Sequence, residues 1–201
     1  MIADARSSYK MTDFLEEFKA AGALLDGHFV LSSGLHSPRY LQSALALQRP
    51  SDAARYGGLI AENFSSRSID TVASPAIGGL VIGFATAAAL GVRFIWTERE
   101  NGAMTLRRGF NVAAGERILV VEDVITTGGS TRECIDALEV RGAQVVGAAS
   151  IVDRSAGAAD VGVERVSLLC LDVPSHAPEI CPLCAAGVEA VKPGSRTTPG
   201  R

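Results

Sequence analysis

Glu116-Arg117-Ile118-Leu119-Val120-Val121-Glu122-Asp123-Val124-Ile125-Thr126-Thr127-Gly128-Gly129-Ser130-Thr131-Arg132 reads as three units in succession. Residues 118–121 are a short, continuous apolar run rich in β-branched side chains, the pattern of a strand covered on both faces in a parallel sheet. Two carboxylates, Glu122 and Asp123, follow at once. A small, hydroxylic, glycine-rich turn comes next, and Cys134, Ile135, Leu138 and Val140 then begin an amphipathic helix. A glycine-rich turn that feeds a helix N-terminus presents backbone N–H groups and the positive end of the helix dipole, an arrangement suited to a phosphate. The carboxylates before it would repel that phosphate. Their natural partners are sugar hydroxyls or a hydrated cation.

The flanking sequence repeats the strand–turn–helix pattern. Residues 9–23 predict a first helix, with Met11, Phe14, Leu15 and Phe18 at spacings of three and four and Thr12 or Asp13 as its cap. Residues 24–31 read as a turn into a short strand, 32–40 as a loop rich in Ser, Gly and Pro, and 40–47 as a further strand. A helix follows over 51–65, then a strand over 69–73. The loop Ser74-Pro75-Ala76-Ile77-Gly78-Gly79 opens onto a helix over 80–90, and 92–96 is again a strand. Residues 97–109 are polar, carry Glu98, Arg99, Glu100, Arg107 and Arg108, and lack a core period; they predict a long surface loop or a hairpin, a length usually tied to function. Strands over 145–152 and 165–171 complete the series. The alternation predicts an α/β fold, a doubly wound, mostly parallel sheet flanked by helices. Ligands of such sheets sit at the C-terminal strand ends, here 74–79, 97–99, 122–130 and Asp153-Arg154.

Composition excludes several classes. A net charge of −3 with 5% aromatic residues offers neither the basic footprint nor the stacking surface of a nucleic-acid binder. The longest apolar stretch, 77–92, is broken by Gly78, Gly79, Gly83 and Thr86, so no membrane span is expected. The first residues lack a signal-peptide core, which predicts a cytoplasmic protein with Cys134, Cys170, Cys181 and Cys184 reduced.

No P-loop and no strand-linked G-x-G-x-x-G motif is present. Instead, 122–130 resembles the 5-phosphoribosyl 1-diphosphate (PRPP) signature of the type I phosphoribosyltransferases. Phe29-Val30-Leu31-Ser32-Ser33-Gly34-Leu35-His36-Ser37-Pro38 is similar to the N-terminal substrate loop of the family's orotate-using branch, and Ile151-Val152-Asp153-Arg154 to the strand end that supplies its orotate-binding arginine. Thr97-Glu98-Arg99-Glu100, Leu106-Arg107-Arg108-Gly109-Phe110, Cys181-Pro182-Leu183-Cys184 and Val191-Lys192-Pro193-Gly194-Ser195 resemble a bacterial subset of that branch. The resemblance implies transfer of a phosphoribosyl group from PRPP to orotate. It implies PRPP contacts at Glu122, Asp123, Val124, Ile125, Thr126, Thr127, Gly128, Gly129 and Ser130, and orotate contacts at Thr126 and Arg154. Diphosphate contacts would fall at Ala76, Ile77, Gly78, Arg99 and Arg107, with Asp123 and Arg99 as the catalytic pair; the plainer alternative for Arg99 or Arg107 is a surface pair with Glu98 or Glu100. It further implies Mg²⁺ as cofactor and a homodimer whose 97–109 loop reaches the neighbouring site. Three segments would be a small N-terminal hood (1–50), the transferase core (51–175) and a tail packing near the hood (176–201).

The chain departs from the better-known branch, which carries lysines where Ser32 and Gly78 stand and lysine and histidine in the loop that here holds only arginines. Two other readings share the signature. A purine-base transferase would not need Arg154, and a PRPP-sensing regulator would show a basic face. Arg154 has a physical case of its own, because a guanidinium matches a carboxylate bidentately; the plainer alternative is a surface pair with Asp153. Cys181-x-x-Cys184 reads as a pair of reduced, packed cysteines rather than a zinc site, for which Cys170 and His176 would be the further ligands. His28 and His36 are lone histidines: a surface role is the plainer reading of both, and a role at the substrate loop is the alternative for His36.

Overall fold

The computed structural model of the protein describes residues 11–31 and 34–193. Tyr9 as the start of the first helix, the side chains of Thr12 and Asp13 that would cap it, Ser32-Ser33, and Gly194-Ser195 lie outside what is described.

β6 (Arg117–Ile125) is the centre of a six-stranded sheet, between β3 (Thr71–Pro75) and β7 (Gln144–Asp153). Beyond β3 lie β4 (Arg93–Glu100) and the edge strand β5 (Ala103–Leu106); beyond β7 lies β8 (Arg165–Cys170). Every pairing is parallel except β4 with β5. The apolar run of β6 is fully enclosed, and its alternating side chains serve two cores. Leu119 and Val121 pack with Val72, Ile82 and the aromatic side chains of α1 (Met11–Ala20) and α3 (Pro50–Asn63). Ile118 and Val120 pack with Ala73, Ile95 and the inner face of α5 (Gly129–Glu139): Cys134, Ile135 and Leu138. Burying each such side chain contributes about 1.5–3 kcal/mol, so this strand cannot slip register without exposing one core or the other.

The chain leaves β3 through α4 (Gly79–Leu90) toward one edge, and leaves β6 through α5 toward the other. The loops after β3 and β6 therefore diverge, and a crevice opens between them at the C-terminal strand ends.

Ahead of the sheet, β1 (Leu24–Val30) and β2 (His36–Leu41) form a separate antiparallel ribbon. The expected strand over 40–47 is not formed. β2 stops at Leu41 and α2 (Ser43–Ala46) follows, with burial on Ser43, Ala46 and Leu47, a helical rather than alternating spacing. The Gln42 N–H donates to the Ala23 carbonyl at 2.8 Å and the Ser43 hydroxyl donates to Asp123, contacts that local alternation cannot reveal. Residues 97–109 are ordered as the extension of β4, a tight reversal at Asn101-Gly102 with φ of 50° and 85°, and β5. Asn-Gly with both φ positive is the hairpin turn that matches strand twist.

The chain beyond β8 returns to the ribbon. The Val30 N–H donates to the Val191 carbonyl at 2.9 Å, the Val191 N–H donates to the His28 carbonyl at 2.8 Å, and His36 and His176 exchange two backbone hydrogen bonds. A short helix, α6 (Pro182–Ala185), lies in this segment. Among the described residues no helix is long and apolar enough to cross a membrane.

Candidate active site

The crevice between β3 and β6 holds a cavity of about 270 Å³, walled by Pro75, Ala76 and Gly78 on one side and residues 122–131 on the other. Gly128 sits in the left-handed region at φ 80° and turns the chain into α5, so the amides of Gly129, Ser130 and Thr131 open the helix toward the cavity without carbonyl partners of their own helix. A side chain at Gly128 would be strained in that conformation, and its Cβ would meet Val161 at 2.8 Å.

The two carboxylates stand at the cavity's inner wall and differ in environment. Glu122 is only 7% exposed, and burial, with Asp123 alongside, pushes its carboxyl up to about 9. Glu122 therefore holds a proton at neutral pH in the free protein, which reduces the repulsion expected between two adjacent acids. Asp123 accepts from the Ser43 hydroxyl on one oxygen and from the Val124 N–H at 2.9 Å on the other. Gly78 lies against it: a Cβ there would come within 2.6 Å of Asp123 Oδ1. A glycine at 78 lets the β3 loop approach the acid, a constraint that a lysine could not meet in this geometry.

A second cavity, of about 740 Å³, adjoins the first across Asp123, Val124, Thr126 and Thr127. The ribbon covers it with Val30, Leu31, Leu35 and Tyr40, the chain's end contributes Lys192 and Pro193, and Arg154 reaches into it from the end of β7. The expected alternative partner of Arg154, Asp153, is engaged elsewhere. It accepts from Arg165 at 2.5 Å, from the Ser155 N–H and hydroxyl at 2.7 and 2.6 Å, and from the Gly157 N–H at 3.1 Å. Arg154 Nε is buried without a hydrogen-bond partner among the described residues, and burial lowers the guanidinium from its ordinary value. A half-buried cation held in this way is poised for an anionic ligand.

The remaining candidates are distributed as follows. Ala76 and Gly78 line the first cavity, and Ile77, joined to Ala76 by a cis peptide, is 83% exposed on the outside of the loop. Val124, Ile125, Thr126, Thr127, Gly129 and Ser130 line the same cavity. Arg99 is outside it, paired with Glu133 of α5 at 2.6 Å and donating to the Gly102 carbonyl at 2.9 Å. Arg107 pairs with Glu100 at 3.3 Å, and Arg108 pairs with Glu98 through two hydrogen bonds at 2.7 and 3.1 Å. Sequence reasoning missed Ser43, because nothing local marks a serine 80 residues from the acid it serves. It also passed over Lys192 as a lining residue, although the tail segment that carries it had been singled out.

Residues 46–176 match the phosphoribosyl transferase domain family. An orotate phosphoribosyltransferase of Pelotomaculum thermopropionicum is 53% identical over 179 residues, covering 89% of this chain and 94% of that protein. One from a Methylobacterium species is 51% identical over 192 residues, covering 94% and 98%. Among solved structures, the orotate phosphoribosyltransferase of Mycobacterium tuberculosis in complex with PRPP superposes with a TM-score of 0.63 at 29% identity, over 79% of this chain and 96% of that one. The enzyme from Aeropyrum pernix gives 0.62 at 29% identity, over 78% and 92%.

Proposed function

This chain belongs to the phosphoribosyltransferase family, and from that premise we propose that it is an enzyme that transfers the 5-phosphoribosyl group of PRPP to orotate, giving orotidine 5′-phosphate and diphosphate. The observation that carries the reading is the pair of cavities meeting at Asp123, Val124, Thr126 and Thr127, one floored by a phosphate-binding turn and the other reached by Arg154. A ribose 5-phosphate in the first and a planar carboxylate-bearing base in the second would meet where C1 must exchange its substituents.

The residues divide the work by chemistry. The amides of residues 128–131 receive the 5′-phosphate at the helix N-terminus. Asp123 and Glu122 accept from the ribose hydroxyls, and the Asp123 carboxylate sets negative charge beneath the ribosyl cation that develops as the bond to diphosphate lengthens. Arg154 holds the orotate carboxylate, and Thr126 borders the ring. The attacking ring nitrogen forms its bond to C1 as the C1–oxygen bond to diphosphate breaks, so no protein nucleophile is required, and orientation supplies much of the rate. The all-oxygen donor set of the acid pair fits Mg²⁺, which would neutralise diphosphate charge while keeping most of its waters.

The diphosphate would lie along residues 76–78, with Arg99 and Arg107 delivered by the 97–109 hairpin of a second subunit. Two observations support a homodimer: these arginines are engaged on their own hairpin and α5 rather than in the cavity, and Ile77, Val81 and Phe84 form an exposed apolar stripe beside the β3 loop. A cytoplasmic setting accords with four free cysteines. Loss of orotate followed spectrophotometrically with PRPP and Mg²⁺ tests the activity; turnover of purine bases but not of orotate would overturn it.

A further inference from the structure

The ribbon and the chain's C-terminal segment meet at a cluster that the transferase reaction does not use. His28, His36, Cys181 and Cys184 each offer one ligand atom, and these atoms all lie within 4.8 Å of one another. His28 Nε2 is 2.8 Å from His36 Nδ1, 3.5 Å from Cys181 Sγ and 3.8 Å from Cys184 Sγ, while Cys184 Sγ is 3.2 Å from His36 Nδ1. We propose that these four side chains are a structural zinc site that clasps the N-terminal ribbon to the C-terminal tail.

The geometry fits a single tetrahedral ion. With Zn–N near 2.0–2.1 Å and Zn–S near 2.3 Å, the edges of the tetrahedron are about 3.3–3.8 Å; the four contacts run from 2.8 to 3.8 Å and all ligand atoms fall within 4.8 Å, so small side-chain shifts bring them onto one ion. Two thiols and two imidazoles form the S₂N₂ set that selects zinc, and four protein ligands leave no open position, which marks a structural rather than a catalytic ion.

The protein also orients the ligands as a metal requires. His28 is 3% exposed, and its Nδ1 lies 2.7 Å from the Val188 carbonyl. A carbonyl only accepts, so Nδ1 carries the proton and Nε2 turns a lone pair toward the two sulfurs and His36, the outer-sphere arrangement typical of zinc-bound histidine. A bulge sets up this orientation: the β1–β2 register shifts between Asp26 and Phe29, leaving Gly27 and His28 to share one position of the partner strand. His36, opposite Val30, then falls on the same face, diagonal to His28. On the tail, Cys181 is buried at the start of α6 and Cys184 lies within it, a C-x-x-C turn closed by the Ala185 N–H donating to the Cys181 carbonyl at 3.1 Å. Sequence alone favours a packed pair of reduced cysteines, and Cys170 and His176, the further ligands a zinc reading of the sequence would use, are not part of the cluster: Cys170 ends β8 opposite Asp153, and His176 joins His36 through the backbone.

The clasp borders the acceptor cavity, whose lining includes Val30, Leu31 and Leu35 from the ribbon and Lys192 and Pro193 from the tail. On the function proposed above, removing the metal raises the KM for orotate more than that for PRPP, because only the orotate cavity is walled by the clasped segments.

Metal content of the full-length chain purified without added chelator is the direct test, and it is independent of any activity. One equivalent of zinc per chain is expected. Replacement with Co²⁺ should give sulfur-to-cobalt charge transfer and the d–d bands of a tetrahedral site. Cys184→Ser should lose the metal, and Cys170→Ser should keep it. A chain that binds neither zinc nor Co²⁺ with its thiols reduced would overturn the site, as would undiminished metal in both Cys184→Ser and His36→Asn. Because Co²⁺ spectra are read on the unmutated protein, misfolding of a variant leaves the decision open to that measurement. An unchanged orotate KM in the metal-free protein would overturn only the link to the acceptor cavity.

Discussion

Asp153 and Arg165 form a buried ion pair between β7 and the start of β8, Oδ2 to Nη1 at 2.5 Å, and this pairing leaves the neighbouring Arg154 available to the acceptor cavity. Two adjacent charged residues at one strand end thus serve different purposes, one holding the sheet's edge and the other facing substrate. Arg154→Ala should raise the KM for orotate about 10–100-fold, the loss of a charge-assisted hydrogen bond, with a much smaller effect on PRPP. Steady-state kinetics in both substrates check this, and equal effects on the two KM values would remove the carboxylate clamp.

Asp123→Asn should lower kcat at least about 100-fold by removing the charge beneath the developing ribosyl cation. An asparagine oxygen still accepts from Ser43, so the circular-dichroism spectrum and melting temperature should change little. Gly78→Ala should reproduce much of this loss from the opposite wall, since its Cβ would stand 2.6 Å from Asp123 Oδ1. Full activity in both variants would displace the acid from its assigned role.

Glu122 predicts the pH response of the free protein. Its folded carboxyl sits at about 9, above the ordinary 4.5, because of burial and then Asp123. The folded chain holds this proton more tightly than the unfolded chain, so the contribution to stability is complete below 4.5 and is lost as pH rises toward 9. Glu122→Gln should therefore raise the melting temperature at pH 8.5 and have little effect at pH 5. Parallel melting curves for the two proteins across that range would contradict the buried-proton account.

The 97–109 hairpin has exposed arginines at its exit, so trypsin should cut first at Arg107 or Arg108 in the free protein. PRPP with orotate should slow that cleavage if the hairpin closes over a neighbouring site. Identical cleavage rates with and without substrates would argue against closure.

Phe84→Glu should yield a monomer by sedimentation and reduce turnover, because it places a charge in the apolar stripe with Ile77 and Val81. A dimer with wild-type activity would move the subunit interface elsewhere.

Much of this was legible in the sequence wherever the signal is local. The apolar run of β6 marked a strand because enclosure on both faces leaves no room for polar side chains, and Thr126-Thr127-Gly128-Gly129 marked the phosphate turn because only such residues bring backbone amides so close. Even the hairpin had a local signature in Asn101-Gly102, overlooked among its charges. Elsewhere the chain alone was insufficient. Residues 40–47 read as a continuing strand, yet 43–46 coil into α2, with the Asp123 carboxylate and the Ala23 carbonyl supplying partners there. Nothing in the spacing of His28 and His36 points to Cys181 and Cys184, since the two pairs are joined only when the tail returns to the ribbon. The sequence by itself determined the strand, the acid pair and the turn, features written in side-chain period and backbone freedom over a few residues. Tertiary structure decided which of those groups keep their charge, which arginine meets substrate and which histidines meet the cysteines, because burial and partnership depend on atoms brought together only by packing.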